Sequence, residues 1–332
     1  MKLTKGLLVM ALILIVGANA FAGGRRQGGP QFVLNMSTQL AETAPMVAGF
    51  RDWAEAVYRR TNGNLEIRIH TVAALGTDED VIEQALLGAN VAVLTDGARM
   101  ANYVRDIGIV GMPFIARDHD ELIRITQTPT FQSWDAELVR QGIRILSYNW
   151  YDGPRNFWTN VEIRTPADLN GLRIRTPGAP VWARSVASLG ATPVAMPWPD
   201  SYNAMQTRVI DGVEVQSTAA FPSRIFEVAN IMTRTEHFQL ANFIMVGERW
   251  FQTLPAEYQR ILIEECVRAS IANARQIMAY ATEFERRMVA YHGVTINEVD
   301  RAPFIAASEQ AYNELGFREA RDRLWREIGR IQ

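Results

Sequence analysis

Apolar and polar positions follow two rhythms in the first third of the chain. Gln31 to Met36 (QFVLNM) is a short apolar run that suits a buried parallel strand. After Pro45, the residues Met46, Phe50, Trp53 and Val57 recur at helical spacing until Asn62-Gly63. Leu65, Ile67 and Ile69 then alternate as a strand. The rhythm repeats with a helix from about Asp78 to Leu87, a stop at Gly88 and a strand from Val91 to Leu94. Such alternation predicts an α/β fold with a mostly parallel sheet flanked by helices. Ligands of such sheets lie at the carboxyl ends of strands, here at Leu75 to Asp78 and at Thr95-Asp96-Gly97.

Further along, helices are expected at about Asp118 to Thr126 and Thr130 to Gln141, then a strand at Ile143 to Tyr148. The turn-rich Trp150-Tyr151-Asp152-Gly153-Pro154-Arg155 reads as a crossing between domains, with a new strand at Phe157 to Asn160. Gly171 to Gln216 reads as a strand with two arginines, a Pro-Gly turn, a helix, a Pro-broken segment, a second helix and a β-type run. Phe221 to Ala229 is expected to be helical and Arg234 to Val246 a strand pair. Pro255 to Tyr291 keeps helical periodicity without Gly or Pro. A helix of about 35 residues is roughly 50 Å long, which is enough to cross two domains. The charge alternation of Phe317 to Gln332 predicts a solvated helical tail.

The 332 residues suit two domains or one large one, and 48% hydrophobic with 21% charged residues indicates a packed core. A pI near 6.2 and a net charge of −2 argue against nucleic-acid binding. Lys2 and Lys5 are the only lysines, so the rest of the chain relies on arginine, the better fork for a carboxylate. Residues 1–22 read as an export signal: a short basic start, an apolar run from Gly6 to Val16 and small-residue cleavage sites at Ala18-Asn19-Ala20 and Ala20-Phe21-Ala22. That run is short for a membrane span, so no stable membrane insertion is expected. The single cysteine, Cys266, excludes an internal disulfide.

Catalytic signatures are missing from the sequence. His70, His119, His237 and His292 are scattered without metal-ligand spacing, and no nucleophile-elbow, Walker A or dinucleotide motif occurs. No catalytic residue, metal or cofactor is predicted. Arg155 and Arg175 stand out instead, because both lie at strand ends beside Gly and Pro with Trp150, Trp158, Trp182 and Trp198 near them in sequence. Two arginines and an aromatic wall suit a small organic acid.

From Phe32 to Gly316 the chain resembles the solute-binding subunits of tripartite ATP-independent periplasmic (TRAP) transporters, the dicarboxylate and sialic-acid binding family. The resemblance rests on NGLRIRTPGAPVW (Asn170 to Trp182), LGATPVAMPW (Leu189 to Trp198), Tyr202 to Gln206 and Ile210-Asp211-Gly212-Val213-Glu214, with weaker support from Gln84, Met112-Pro113-Phe114, Tyr151 to Arg155 and Leu254-Pro255. It implies a two-domain periplasmic binding protein, with crossing strands and a long helix bridging the domains. The implied division is 31–151 plus about 241–280 for the first domain, 152–240 plus about 281–316 for the second, and 317–332 for the tail. It also implies a monomer that carries a carboxylate to a small and a large membrane subunit.

Carried over, Arg175 is the expected main carboxylate-binding arginine and Arg155 the second. Trp198 is the expected aromatic against the ligand, Asp96 and Asn35 are polar cleft positions, and Trp150 is a wall. One departure matters: where many members carry Asn after the Asp-Gly-x-Glu turn, this chain has Val215, with Gln216 as the candidate replacement donor. That change points toward a monocarboxylate with an apolar or aromatic body, with a sugar acid or C4-dicarboxylate as alternatives. A sensory binding protein or a secreted enzyme on the same scaffold are the competing readings of function.

Overall fold

The computed structural model describes residues 29–332, so the expected export signal lies outside the described residues. Among the described residues nine strands form one continuous sheet: β1 (Phe32–Ser37), β2 (Leu65–His70), β3 (Val91–Thr95), β4 (Ile143–Thr159), β5 (Arg173–Thr176), β6 (Thr192–Ala195), β7 (Gly212–Gln216), β8 (Ile231–Gly247) and β9 (Thr295–Glu298). The order is β2-β1-β3-β8-β4-β7-β5-β6, with β9 beside β8. β1 pairs in parallel with β2 and β3, and β5 in parallel with β6 and β7. The two 17-residue strands β4 and β8 run antiparallel to one another between these groups.

The pairing register divides the sheet into two lobes. β3 pairs with the end of β8, from Phe243 to Val246. β9 pairs with its beginning, from Ile231 to Arg234. β7 pairs with β4 only from Arg155 to Thr159. Each long strand therefore belongs to one lobe at one end and to the other lobe at the other. Both were expected as broken elements. Asp152-Gly153-Pro154 does not turn the chain; it is absorbed as bulges, with register shifts between Ile145 and Ser147, Ser147 and Trp150, Tyr151 and Gly153, and Arg155 and Phe157. Gly153 takes a φ of 104°, which a side chain would strain. The expected strand pair from Arg234 to Val246 is likewise one strand. The expected helix at Phe221 to Ala229 reduces to turns and the 3-10 turn Ile225–Glu227, with the short helix Ser217–Ala220 just before it.

The long helix is Ala256–His292, 37 residues. It ends where Gly293 takes a left-handed φ of 70° and Val294 N–H reaches back to Met288 O. It touches both lobes: Trp53 Nε1 donates to Leu262 O at 3.1 Å, and Ser217 Oγ donates to Glu285 at 2.6 Å. Ile261, Leu262, Cys266 and Ile277 are buried along it. Each of the isoleucine and leucine side chains contributes about 1.5–3 kcal/mol.

The tail is not solvated. Its helix Arg318–Glu327 buries Leu324 completely, and Phe317 just before it is 1% exposed. Trp325 Nε1 and Arg330 Nη1 both donate to Ile115 O, at 2.8 and 3.0 Å. Phe317, Leu324, Trp325 and Ile328 make a narrow apolar stripe that packs on the first lobe, and the charges occupy the remaining face.

Candidate functional site

A cavity of about 560 Å³, its mouth included, lies between the lobes. Its wall follows from the topology. The carboxyl ends of β1, β3, β5 and β7 contribute Thr38 and Gln39, Asp96, Arg175, and Gln216, while the middles of the crossing strands contribute Asp152, Arg155 and Asn242. Trp182, Trp198, Val215 and Leu240 add apolar wall.

Arg175 is 3% exposed. Its Nε donates to Met196 O at 3.0 Å, and its guanidinium lies 5.4 Å from the Trp198 ring centre. Among the described residues it makes no ion pair, and its two terminal nitrogens make no hydrogen bond. That leaves four N–H donors in a planar fork. Burial, with Arg155 nearby, pushes its pKa down to about 9, so it is still cationic at neutral pH.

Arg155 is also buried, but it is committed. It forms a bidentate pair with Glu214, bonds Glu214 O at 2.6 Å and Gln216 Oε1 at 3.1 Å, and stacks 4.9 Å from the Trp182 ring. Glu214 is fully buried; burial would raise its pKa, but Arg155 and His237 outweigh this and hold it below the carboxylate range. One Nη1 hydrogen of Arg155 has no partner among the described residues. Gln216 links Arg155 to Asp152, donating to Asp152 Oδ2, and Thr218 Oγ1 donates to Asp152 Oδ1 at 2.9 Å. Burial pushes Asp152 up to about 6 despite Thr218, Gln216 and Arg155.

The opposite wall belongs to the first lobe. Arg99 is ion-paired with Asp78 at 3.1 Å, Glu79 at 2.8 Å and Asp96. Burial pushes Asp78 up to about 6 against Arg99 and Gln39. Asp96 caps the turn that carries Arg99 and accepts from Trp182 Nε1 at 3.1 Å. Gln39 donates to Asp78 at 2.5 Å and accepts from Trp198 N–H at 2.7 Å. The Gln39–Trp198 and Asp96–Trp182 contacts tie one lobe to the other, so the cleft is closed.

Of the residues expected from sequence, Arg175, Arg155, Trp198, Asp96, Val215 and Gln216 meet at this cavity. Trp150 does not. It is fully buried, packs on Phe50 at 4.7 Å and donates to Cys266 Sγ at 3.4 Å, because its side of β4 faces the long helix. Asn35 is also outside: it lies within β1, short of the strand's end, and meets His70 at 3.0 Å and Asn90 O at 3.4 Å. Gln39, Arg99, Asp152 and Asn242 were missed, and Asp78, at a strand end picked out from the sequence, was not named as a site residue. The strand-end rule reaches Gln39, two residues past Ser37. Asn242 is the lone polar residue in the run LANFIMV.

The profile of the bacterial extracellular solute-binding proteins, family 7, matches residues 36–319. The chain belongs to this family. A solute-binding protein of Chromohalobacter salexigens is 26% identical over 82% of this chain and 81% of its own. The C4-dicarboxylate-binding periplasmic protein of Rhodobacter capsulatus is 26% identical over 68% of each chain. A TRAP periplasmic solute-binding protein of Ochrobacterium anthropi, solved with L-fuconate, superposes with a TM-score of 0.86 at 28% identity over 90% of this chain and 99% of that one. The apo open structure from Escherichia fergusonii is 33% identical yet reaches a TM-score of only 0.77, covering 88% of this chain and 98% of that one. The poorer fit to an open relative of higher identity agrees with the closed cleft seen here. Proteins of this family are extracytoplasmic solute-binding proteins, and among the described residues no helix is long and apolar enough to cross a membrane.

Proposed function

We propose that this protein captures a small organic acid in the cleft and hands it to the two membrane subunits of a TRAP transporter. The observation that carries the reading is Arg175, a buried guanidinium with four unused donors and no ion-pair partner among the described residues. A buried cation without a counter-ion is costly unless a ligand supplies the anion. Arg155 offers a single further donor, Trp198 and Val215 form apolar wall, and Gln216 and Asp96 hold the polar network in place. Relatives support the ligand class: proteins of Ochrobacterium anthropi and Citrobacter koseri were solved with L-fuconate and D-glucuronate.

The bulged stretch of β4 from Ile145 to Phe157, beside β8, is the proposed hinge, and the domain boundaries follow there, near 151/152 and 240/241. Closure makes the Gln39–Trp198 and Asp96–Trp182 contacts, and the closed form is the one presented to the membrane partner. The protein acts as a periplasmic monomer exported by its leader and returns its ligand chemically unchanged. The test is a thermal-shift screen of organic acids followed by calorimetry and recovery of the ligand. An acid at 100 times its Kd adds about 2.7 kcal/mol of stability. Stabilisation by uncharged compounds alone, or recovery of a converted product, rejects the reading.

A further inference from the structure

The cavity presents one uncompensated positive charge and several unfilled acceptors. Arg99 faces three carboxylates and Arg155 one, so Arg175 is the only cavity guanidinium without an ion pair among the described residues. The acceptors lie around it. Asp78 Oδ2 takes Gln39 and Arg99, while its Oδ1 has no partner among the described residues. Each oxygen of Asp152 accepts one bond and has capacity for another. The Asn242 side chain lines the cavity and makes no hydrogen bond among the described residues.

We infer that the cavity selects an acid with a single charge and several hydroxyl donors, a polyhydroxy monocarboxylate, and discriminates against C4-dicarboxylates. The inference rests on the assignment of Arg175 to the ligand carboxylate. A second carboxylate would enter a buried space holding Asp78, Asp96 and Asp152, with no free guanidinium to meet it. A plain aliphatic acid would cover Asn242 and the two aspartates without satisfying them, and sites built for hydroxyls reject such analogues strongly. An ammonium group would pair with an aspartate, but Asp78 and Asp96 already face Arg99, and Asp152 lies in the field of Arg155. A hydroxyl satisfies the same acceptors and adds no charge. An aromatic body fits less well, because the Trp182 and Trp198 rings are already stacked by guanidinium groups.

The test is calorimetry on the exported protein with a stereochemically varied set of six-carbon aldonates and uronates, beside hexanoate, succinate, norleucine and sorbitol. The best hydroxy acid is expected to bind at least about 100-fold more tightly than hexanoate, succinate or norleucine. Succinate, hexanoate or norleucine binding as tightly as the best hydroxy acid overturns the inference and leaves Arg175 as the carboxylate site. Sorbitol binding where no acid does overturns both, and failure of every hydroxy acid overturns the inference. In a folded Asn242→Ala variant the affinity for the best hydroxy acid should fall about tenfold; an unchanged affinity also overturns it.

Discussion

Replacing Arg175 separates a ligand-binding arginine from a structural one, because the two predict opposite effects on the empty protein. In the closed cleft its terminal nitrogens are unused and its charge faces no carboxylate at ion-pair distance among the described residues. A ligand carboxylate gripped bidentately makes two charge-assisted hydrogen bonds, each contributing about 1.5–3 kcal/mol. Arg175→Ala should therefore raise the Kd by about 10²- to 10⁴-fold. Arg175→Lys retains the charge but loses the planar fork and the stacking on Trp198, so a loss of about 10- to 100-fold is expected. The apo protein should respond in the other direction. Arg175→Met removes a buried, uncompensated cation and should raise stability by about 1–2 kcal/mol, or roughly 2–6 °C in Tm. Calorimetry gives the affinity and a thermal melt without ligand gives the stability. A Kd within threefold of wild type for the alanine variant refutes the carboxylate assignment. A fall of several degrees for the methionine variant would show that Arg175 holds the fold together instead.

Four further outcomes follow from neighbouring groups. Asp152 has a folded pKa raised from 3.8 to about 6, so the folded state binds the extra proton and this group's contribution to stability falls as pH rises from about 4 to 6. Asp152→Asn should then stabilise the apo protein on the order of 2–3 kcal/mol at pH 7.5 and much less at pH 5, and pH-dependent melts that show no such difference contradict the burial argument. Gln39→Ala leaves the Trp198 N–H unpaired only in the closed form, so ligand Kd should rise about tenfold and small-angle scattering should report a more open apo protein. Glu214→Gln strips the buried Arg155 of its counter-ion and should cost about 3–5 kcal/mol in a urea melt. Leu324→Ala should cost about 2–5 kcal/mol if the C-terminal helix is packed as described; a solvated helix would lose almost nothing.

What the sequence reveals about this site divides by range. The strand–helix alternation, the long helix and the strand ends are local signals, and they lead to Arg175 and Asp96 without any structure, whereas Gln216 enters only through the family resemblance. The unity of β4 is not local: Asp152-Gly153-Pro154 has the chemistry of a turn, and only pairing with β8 across some eighty residues shows that the chain bulges and continues. Trp150 and Trp198 have the same composition-level appearance, yet one packs under the long helix and the other on the cleft.

The state of each arginine is the least local property of all. Arg155 and Arg175 look equivalent in sequence, and both line the cavity. Their difference is set by Glu214, whose register on β7 places its carboxylate against Arg155, two positions before Gln216. Arg99, invisible as a site residue, is neutralised by carboxylates on two segments, Asp78–Glu79 and Asp96. A count of cavity arginines would suggest a ligand with several negative charges. Pairing reduces three cations to one available fork, and the acids that do the pairing make a second ligand carboxylate unwelcome. On the proposed reading, ligand charge in this cleft is set by the partners of the arginines more than by the arginines themselves, so Glu214 and Asp78 would shape specificity alongside Arg175.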